Sequence, residues 1–169
     1  EEQPDGTLFY HSLTSRRNAF VFNNDEIWRI IISDNKVYFQ SFGTYFVYDG
    51  HTVKQHFTPE SILFFMKAGN NILAQGLQSG LFILQNDSLK LIPGSQLLKN
   101  ALIRSAVAFS SDSIILGTAS QGLYLYEAGK KRFSRWNTEA DALLINGQIN
   151  CGTMSGDSVY CIGTIGKGV

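Results

Sequence analysis

The strongest constraint on the fold is an internal repeat. Four segments share one pattern, in which a short apolar strand breaks at Gly, Ser or Thr; in the first three, an aromatic or aliphatic strand then follows and ends at a polar turn. The residues that precede the second of these strands are separated by 36, 42 and 46 positions, and they are Thr44, Gly80, Gly122 and Gly168. A period of about 40 to 45 residues built from short strands is typical of a four-stranded propeller blade. The sequence therefore predicts an all-β fold, a β-propeller.

The repeat units fall at 26–57, 62–92, 103–136 and 149–169, and residues 1–25 form a lead-in or a partial blade. Asp, Asn, Gly and Ser fill the turns because they tolerate tight-turn backbone angles. A helical turn is expected in the connection at "DALLING". The prediction is roughly four blades of four-stranded antiparallel sheet, with the last blade incomplete. Propellers close with four to eight blades, so we expect 1–169 to be part of one longer propeller domain.

Charge and hydropathy exclude several functions for this segment. The chain has 14 basic and 14 acidic residues, which argues against a general nucleic-acid binder. No apolar run reaches the roughly 18 residues of a membrane span, so we expect membrane contact only through missing C-terminal parts. The first residue is Glu1 and no signal peptide is present, which indicates a processed or excised chain.

Little in the sequence points to a metal, a cofactor or a disulfide. Cys151 and Cys161 flank the turn "MSGDS", where free core thiols are more common than a strained cross-strand disulfide, and both readings stay open. His11, His51 and His56 have no Cys or His at metal-ligand spacing. The phrase "GTIGKGV" looks like a phosphate loop, but no helix follows and it recurs as "GTASQGL". We predict neither metal nor cofactor.

Two charged groups of residues have both a functional and a structural interpretation. A pair of acids facing one cleft could hydrolyse glycosides, but most of the acids are expected at equivalent strand-to-strand turns, where Asp caps its own backbone. They include Asp34, Asp87, Asp112 and Asp157. A basic run could contact nucleic acid or anionic lipid, although a solvated hairpin at a blade edge is the favoured interpretation. It consists of Lys130, Lys131, Arg132 and Arg135, beside Trp136.

The phrase "IILGTASQGLYLY" resembles the propeller repeat of two-component regulators. The matching residues are Gly117, Thr118, Gly122, Leu123 and Tyr126, while Ile115 stands where that family usually has Trp. The last unit repeats the signature as "CIGTIGKGV", with Gly163, Thr164 and Gly168. Earlier units keep less of it, namely the Gly80-Leu81 pair and the aromatic strand of "YFQSFGTYFVYDG". That phrase is also similar to blades of Bacteroidetes membrane regulators, whose propellers precede a triple-tyrosine immunoglobulin-like domain.

The resemblance implies a periplasmic sensor in an inner-membrane-anchored protein. Such propellers bind a nutrient, often an oligosaccharide, and signal to a histidine kinase or to a helix-turn-helix domain outside this segment. The resemblance implies no catalysis here, and it is compatible with a homodimer. The alternatives are a fragment of a propeller hydrolase or lyase acting on polysaccharide, and a scaffold that docks another protein.

A ligand site is expected on the face formed by the second-to-third strand turns, because those loops converge on the central channel. The residues at the turn tips are Phe42, Gln78, Gln121 and Lys167. The connections at 96–100 and 137–146 could add to this face. Aromatic and amide side chains suit sugar recognition, but they suit blade packing equally well.

Overall fold

Three four-stranded sheets and one two-stranded sheet make up the described part of the chain. The structure, a computed structural model, describes residues 4–8, 26–156 and 158–169. The first two sheets contain β1 (Arg29–Ser33), β2 (Lys36–Gln40), β3 (Thr44–Tyr48) and β4 (Val53–Phe57), then β5 (Ile62–Ala68), β6 (Asn71–Gly76), β7 (Leu81–Gln85) and β8 (Ser88–Leu91). The others contain β9 (Ile103–Ala108), β10 (Ser113–Thr118), β11 (Gly122–Glu127) and β12 (Arg132–Trp136), then β13 (Ile149–Ser155) and β14 (Val159–Thr164). We call these sheets blades 1 to 4.

Every blade is an antiparallel meander in which consecutive strands pair. Turn chemistry fixes this order locally. Asp34 and Asn35 join β1 to β2 with φ of 50° and 58°, and Asn86 and Asp87 join β7 to β8 with φ of 49° and 55°. Left-handed residues at both central positions give a two-residue hairpin its right-handed twist, and Asn and Asp adopt this conformation more readily than other side chains.

The core consists of apolar layers between successive blades. Between blades 1 and 2 the layer includes Tyr45, Phe65 and Ile72, and between blades 2 and 3 it includes Leu73 and Leu116. A third layer joins blades 3 and 4, and it comprises Ile115, Leu123, Leu144 and Ile149. All six residues of β10 are buried, whereas the outermost strand β8 is mostly exposed. Face-to-face packing of four-stranded antiparallel sheets confirms the predicted all-β blade architecture.

Two short helices lie in the connections between blades. The helix α1 (Asp141–Gly147) coincides with the helical turn predicted at "DALLING", and it buries Leu144 against blades 3 and 4. A 3-10 helix at Ser95–Leu98, which the sequence pattern did not predict, buries Leu98 between blades 2 and 3. Neither of these helices, nor any other helical stretch of the described ranges, has the length and hydropathy needed to cross a membrane.

Both cysteines of blade 4 are free thiols. The hairpin register places Cys151 opposite Gly163 and Cys161 opposite Thr153, so the two are not a cross-strand pair. The structure therefore selects the free-thiol interpretation, but the prediction that these are core thiols is wrong, because Cys151 is exposed and Cys161 is half-buried on the two-stranded blade 4.

The basic run lies in the hairpin that joins β11 to β12. Glu127 pairs with Lys130 at 2.6 Å and with Arg132 at 2.7 Å. Arg135 faces Asp141 of α1 at 3.3 Å. These contacts place the run on a solvated blade edge, as the hairpin interpretation requires.

The prediction that these acids occupy equivalent turns is wrong. Asp34 and Asp112 precede second strands, but Asp87 lies between the third and fourth strands of blade 2. There Asp87 contacts blade 1, through Lys36 at 2.7 Å and the Tyr38 hydroxyl at 3.3 Å. Asp157 is outside the described residues.

Candidate functional site

The first strands of all four blades line one cavity of about 200 Å³. Its walls are the segments 29–31, 65–67, 104–106 and 150–152. Since the first strand is the innermost strand of each meander, this cavity is the central channel of the propeller arc. We refer to it as the channel cavity.

Irregular pairing aims several side chains at this region. In β9, Arg104 lies between the paired residues Ile103 and Ser105 but faces no residue of β10. In β13, Asn150 occupies the same position relative to β14. In β5 the register is interrupted at Leu63–Phe64. Such bulges release a residue from the ladder and redirect its side chain, which is why they are frequent beside binding sites.

All charged side chains that line the channel cavity are basic, and they are Arg29, Lys67 and Arg104. The guanidinium carbons of Arg29 and Arg104 lie 5.5 Å and 5.2 Å from the centre of the Phe64 ring. Both distances suit a cation–π interaction. The Lys67 ammonium donates to the Ile32 carbonyl at 2.7 Å.

Two polar atoms beside the channel cavity have no hydrogen-bond partner among the described residues. They are Nε of Arg104 and Oγ of Ser105, and Ser105 is only 4% exposed. Most buried polar atoms in folded proteins are paired, so an unpaired cluster at a cavity wall is unusual. The Arg104 side chain therefore brings a cationic group to the cavity wall, while the Ser105 hydroxyl is closed to solvent and lies beside Gly117 and Gly152.

Two of the predicted turn residues lie in blades 1 and 2. Phe42 is exposed, and its ring lies 6.3 Å from that of Trp28. Gln78 is exposed as well, and its backbone N–H donates to Oε1 of Glu60 at 2.7 Å. Glu60 comes from the connection before blade 2, and its carboxylate enters the space beside Gly76, where a Cβ would collide with it.

The other two predicted residues lie in the equivalent turns of blades 3 and 4. The Gln121 N–H donates to Oγ1 of Thr118 at 3.0 Å, and the Gln121 amide oxygen accepts from the Tyr124 hydroxyl at 3.2 Å. The Lys167 N–H likewise donates to Oγ1 of Thr164 at 3.1 Å. The Thr of the "GT" signature therefore closes its own turn in both blades.

The four predicted residues lie in separate blades, at the end where the first strands begin and the second strands end. Three of the four segments that line the channel cavity belong to this same end. The cavity itself is lined by other residues, which the turn pattern did not indicate. A signal was present in the sequence, because Arg29 and Arg104 both stand near the start of a first strand. Ligand contact by the four turn residues stays a prediction.

A second cavity, of about 210 Å³, lies between blades 1 and 2 and is closed by the Lys36–Asp87 ion pair. Beside it, the Tyr45 hydroxyl donates to the Asp87 carbonyl at 2.7 Å. Burial, together with the nearby Asp87 carboxylate, raises the pKa of Tyr45 to about 12. The phenol stays protonated at neutral pH, so its role here is to brace the two blades.

The described histidines show no sign of a metal site. His51 donates its backbone N–H to Asp49, and the His56 ring stacks on Tyr45 at 5.0 Å. Burial lowers the pKa of His56. Within the described ranges, no three His, Cys, Asp or Glu side chains come together as metal ligands would. His11 lies outside these ranges.

Comparison with known proteins identifies the fold. No protein-family model and no curated protein sequence matches the chain. Among solved structures, the WD40 β-propeller domain of Doa1 matches with a TM-score of 0.57 and 14% identity, over 80% of this chain and 46% of that one. The fold is a β-propeller.

Two further solved structures match with a higher TM-score, 0.64 in each case. One is the extracellular domain of BT4673 from B. thetaiotaomicron, a protein assigned as a hybrid two-component system, with 19% identity over 88% of this chain. The other is YCF48 from Cyanidioschyzon merolae, with 11% identity over 83% of this chain and 48% of that one. The chain spans 20% of the BT4673 domain. Identities this low establish the fold alone.

Proposed function

We propose that this propeller segment is the ligand-binding part of an extracytoplasmic sensor in a bacterial signal-transduction regulator. The observation that carries the proposal is the channel cavity, which residues of four blades line and which carries three basic side chains, Arg29, Lys67 and Arg104. Two further observations support it. The "GT…GL" signature resembles that of two-component regulator propellers, and the extracellular domain of BT4673 has the same fold.

The proposed mechanism is binding without chemistry in this segment. A ligand in the channel cavity would touch the first strands of several blades at once, and so would favour one packing of the blades over others. That change would pass through segments C-terminal to this one, toward a kinase or a helix-turn-helix domain. The sensor would act in the periplasm, anchored to the inner membrane and arranged as a homodimer.

Isothermal titration of the purified chain with a panel of neutral and acidic oligosaccharides tests this function. We expect saturable binding of at least one member, with no change in the saccharide after long incubation. Absence of saturable binding across the panel would count against direct sensing. Cleavage of the saccharide would instead favour a polysaccharide hydrolase or lyase.

A further inference from the structure

We infer that the channel cavity is an oxyanion site, and that its ligand is a saccharide or similar small molecule bearing a carboxylate or sulfate group. This inference rests on the proposed sensor function and names the ligand class for it. The structural basis is the convergence of Arg29, Lys67 and Arg104 on one cavity.

The first step concerns charge. Arg29 and Arg104 both lie against the ring of Phe64, so two guanidinium groups share one small region. Neither they nor Lys67 takes part in any ion pair found within the described ranges. Like charges that approach without a counter-charge repel, and the repulsion is stronger where protein walls lower the effective dielectric constant. A bound anion would relieve that repulsion.

The second step concerns hydrogen bonds. Arg29 and Arg104 line the cavity, and each guanidinium group carries five N–H donors; Arg104 Nε is one that has no partner in the described structure. The bulge in β13 places the amide of Asn150 on the same wall. Guanidinium groups bind carboxylate and sulfate-like oxygens with two parallel hydrogen bonds, which makes them selective for planar or tetrahedral oxyanions.

The third step concerns size. The cavity holds about 200 Å³, whereas sites that enclose a drug-sized ligand have about 300 to 1,000 Å³. The cavity therefore suits the charged end of a ligand, and the remainder would extend toward the second-to-third strand turns at the same end of the blades. An acidic terminal sugar fits this description.

The test compares glucuronate with glucose by isothermal titration, using the full 169-residue chain. Inorganic sulfate is then titrated as a competitor, which separates recognition of the oxyanion from recognition of the sugar. The variants are Arg104→Gln and Arg29→Gln, and the matched control is Arg132→Gln. Arg132 lies on the outer hairpin and pairs with Glu127. Thermal melting with and without sulfate provides a second readout, because a ligand that binds only the folded state raises the melting temperature.

We expect glucuronate to bind more tightly than glucose, and sulfate to compete with it. Loss of one charged hydrogen-bonding group should weaken glucuronate by about tenfold, while Arg132→Gln should leave its affinity unchanged. Because Arg29 is exposed, Arg29→Gln tests the site even if Arg104→Gln fails to fold.

Two results would overturn the oxyanion site. If glucose binds as well as glucuronate and the arginine variants keep their affinity, the sensor function survives and the oxyanion site does not. If glucuronate and sulfate neither bind nor raise the melting temperature at millimolar concentration, the oxyanion site is likewise wrong, while binding of a neutral oligosaccharide would still support a sensor.

Discussion

The interfaces on the two sides of blade 3 use different chemistry at the same repeat position. Between blades 2 and 3, the buried amide of Gln75 donates to the Ala101 carbonyl and accepts from the Ile103 N–H at 2.9 Å. Between blades 3 and 4, Gly117 occupies the corresponding place, and the side chain of Ile149 packs against it. At this position one interface uses hydrogen bonds, and the other uses close apolar contact.

Blade 1 shows an intermediate arrangement. Gln40 accepts from the Phe65 N–H of blade 2 at 3.3 Å, while its amide nitrogen bonds within its own blade, to Ser41. In blades 1 and 2, the glutamine amide fills the space at this position. In blade 3 the residue is Gly117, and the side chain of Ile149 from blade 4 fills that space instead. A repeated backbone therefore does not require repeated side-chain chemistry, and the two interfaces should respond differently to mutation.

Gln75→Leu should cause the largest loss in the free energy of unfolding. It keeps the volume approximately but leaves a buried carbonyl at Ala101 and a buried N–H at Ile103 without partners. An unpaired buried backbone group costs about 1 to 3 kcal/mol, so the free energy of unfolding in urea should fall by about 2 to 5 kcal/mol. Gln40→Leu should cost less, because Gln40 makes one bond across its interface.

The exposed residue Gln85 supplies the control for this experiment. Gln85→Leu should change the free energy of unfolding by less than about 0.5 kcal/mol. A loss below about 1 kcal/mol for Gln75→Leu would show that the amide bridge does not hold the blades together.

Gly117→Ala should cause the next largest loss in the free energy of unfolding. The added Cβ would collide with Ser105 Oγ and lie 2.9 Å from Cγ2 of Ile149. Overpacking of this kind costs about 1 to 3 kcal/mol. Gly43→Ala is the matched control, because a Cβ there meets nothing within 4 Å.

A double-mutant cycle identifies the cause of the Gly117→Ala loss. Combined with Ile149→Ala, which removes the colliding methyl group, the substitution should cost less than the sum of the two single changes. Strict additivity would contradict the close-contact description of this interface.

Thr118→Val should have a smaller effect. The Thr118 hydroxyl is fully buried, accepts from the Gln121 N–H and donates to the Gly122 carbonyl at 2.8 Å. Its loss should cost about 1 to 2 kcal/mol in urea unfolding. Thr164→Val makes the same change at a more exposed turn, where water can replace the bonds, and should cost less than about 0.5 kcal/mol. Equal losses at both positions would show that burial does not determine how much the threonine hydroxyl contributes to the free energy of unfolding.

The smallest effect is a pH dependence in the turn of blade 2. Burial by itself raises the pKa of Glu60, but hydrogen bonds from the Ser79 hydroxyl and from the Gln78 and Ser79 N–H groups outweigh it and hold the pKa below its usual 4.5. A depressed pKa contributes stability that is present above the unfolded-state pKa and is lost as pH falls through the folded-state pKa. Glu60→Gln should therefore be less stable than the parent at pH 7, by under about 1 kcal/mol.

The stability difference between the parent and Glu60→Gln should narrow below pH 4.5, measured by urea unfolding across the acid range. Thr118→Val supplies the control and should be independent of pH, because a hydroxyl closes the corresponding turn in blade 3. A constant difference for Glu60→Gln would contradict the role of the ionised carboxylate.

The strands and turns could be predicted because their signals are local. The alternation in "LYLYE", which lies in β11, and turn pairs such as Asp34-Asn35, which join β1 to β2, act within a few residues. The helical turn at "DALLING" was found for the same reason. The 3-10 helix at Ser95–Leu98 was missed because burial of Leu98 between blades, rather than helical periodicity, stabilises it.

The sequence predicted the end of the blades at which the site lies, but not the residues that line it. Which side chains line the channel depends on bulges in first strands and on packing between residues far apart in the sequence. Arg29 and Arg104, for example, contact the ring of Phe64, which is 35 and 40 positions away from them. The interblade amides did leave a signal, because Gln40 and Gln75 each stand directly before the break in their repeat unit. The hydrogen-bond partners of these amides could not be predicted, because they belong to the facing strand of the next blade.

The Glu60 carboxylate also bears on how blades could be exchanged between propellers. Blade 3 carries its own turn closure in Thr118, whereas the turn of blade 2 is closed by a residue from the preceding connection. A recombinant blade cut at Ile62 would leave that closure behind, so the transferable unit for blade 2 begins before Glu60. For chimera design, module boundaries follow the hydrogen bonds of the turns and not the ends of the strands.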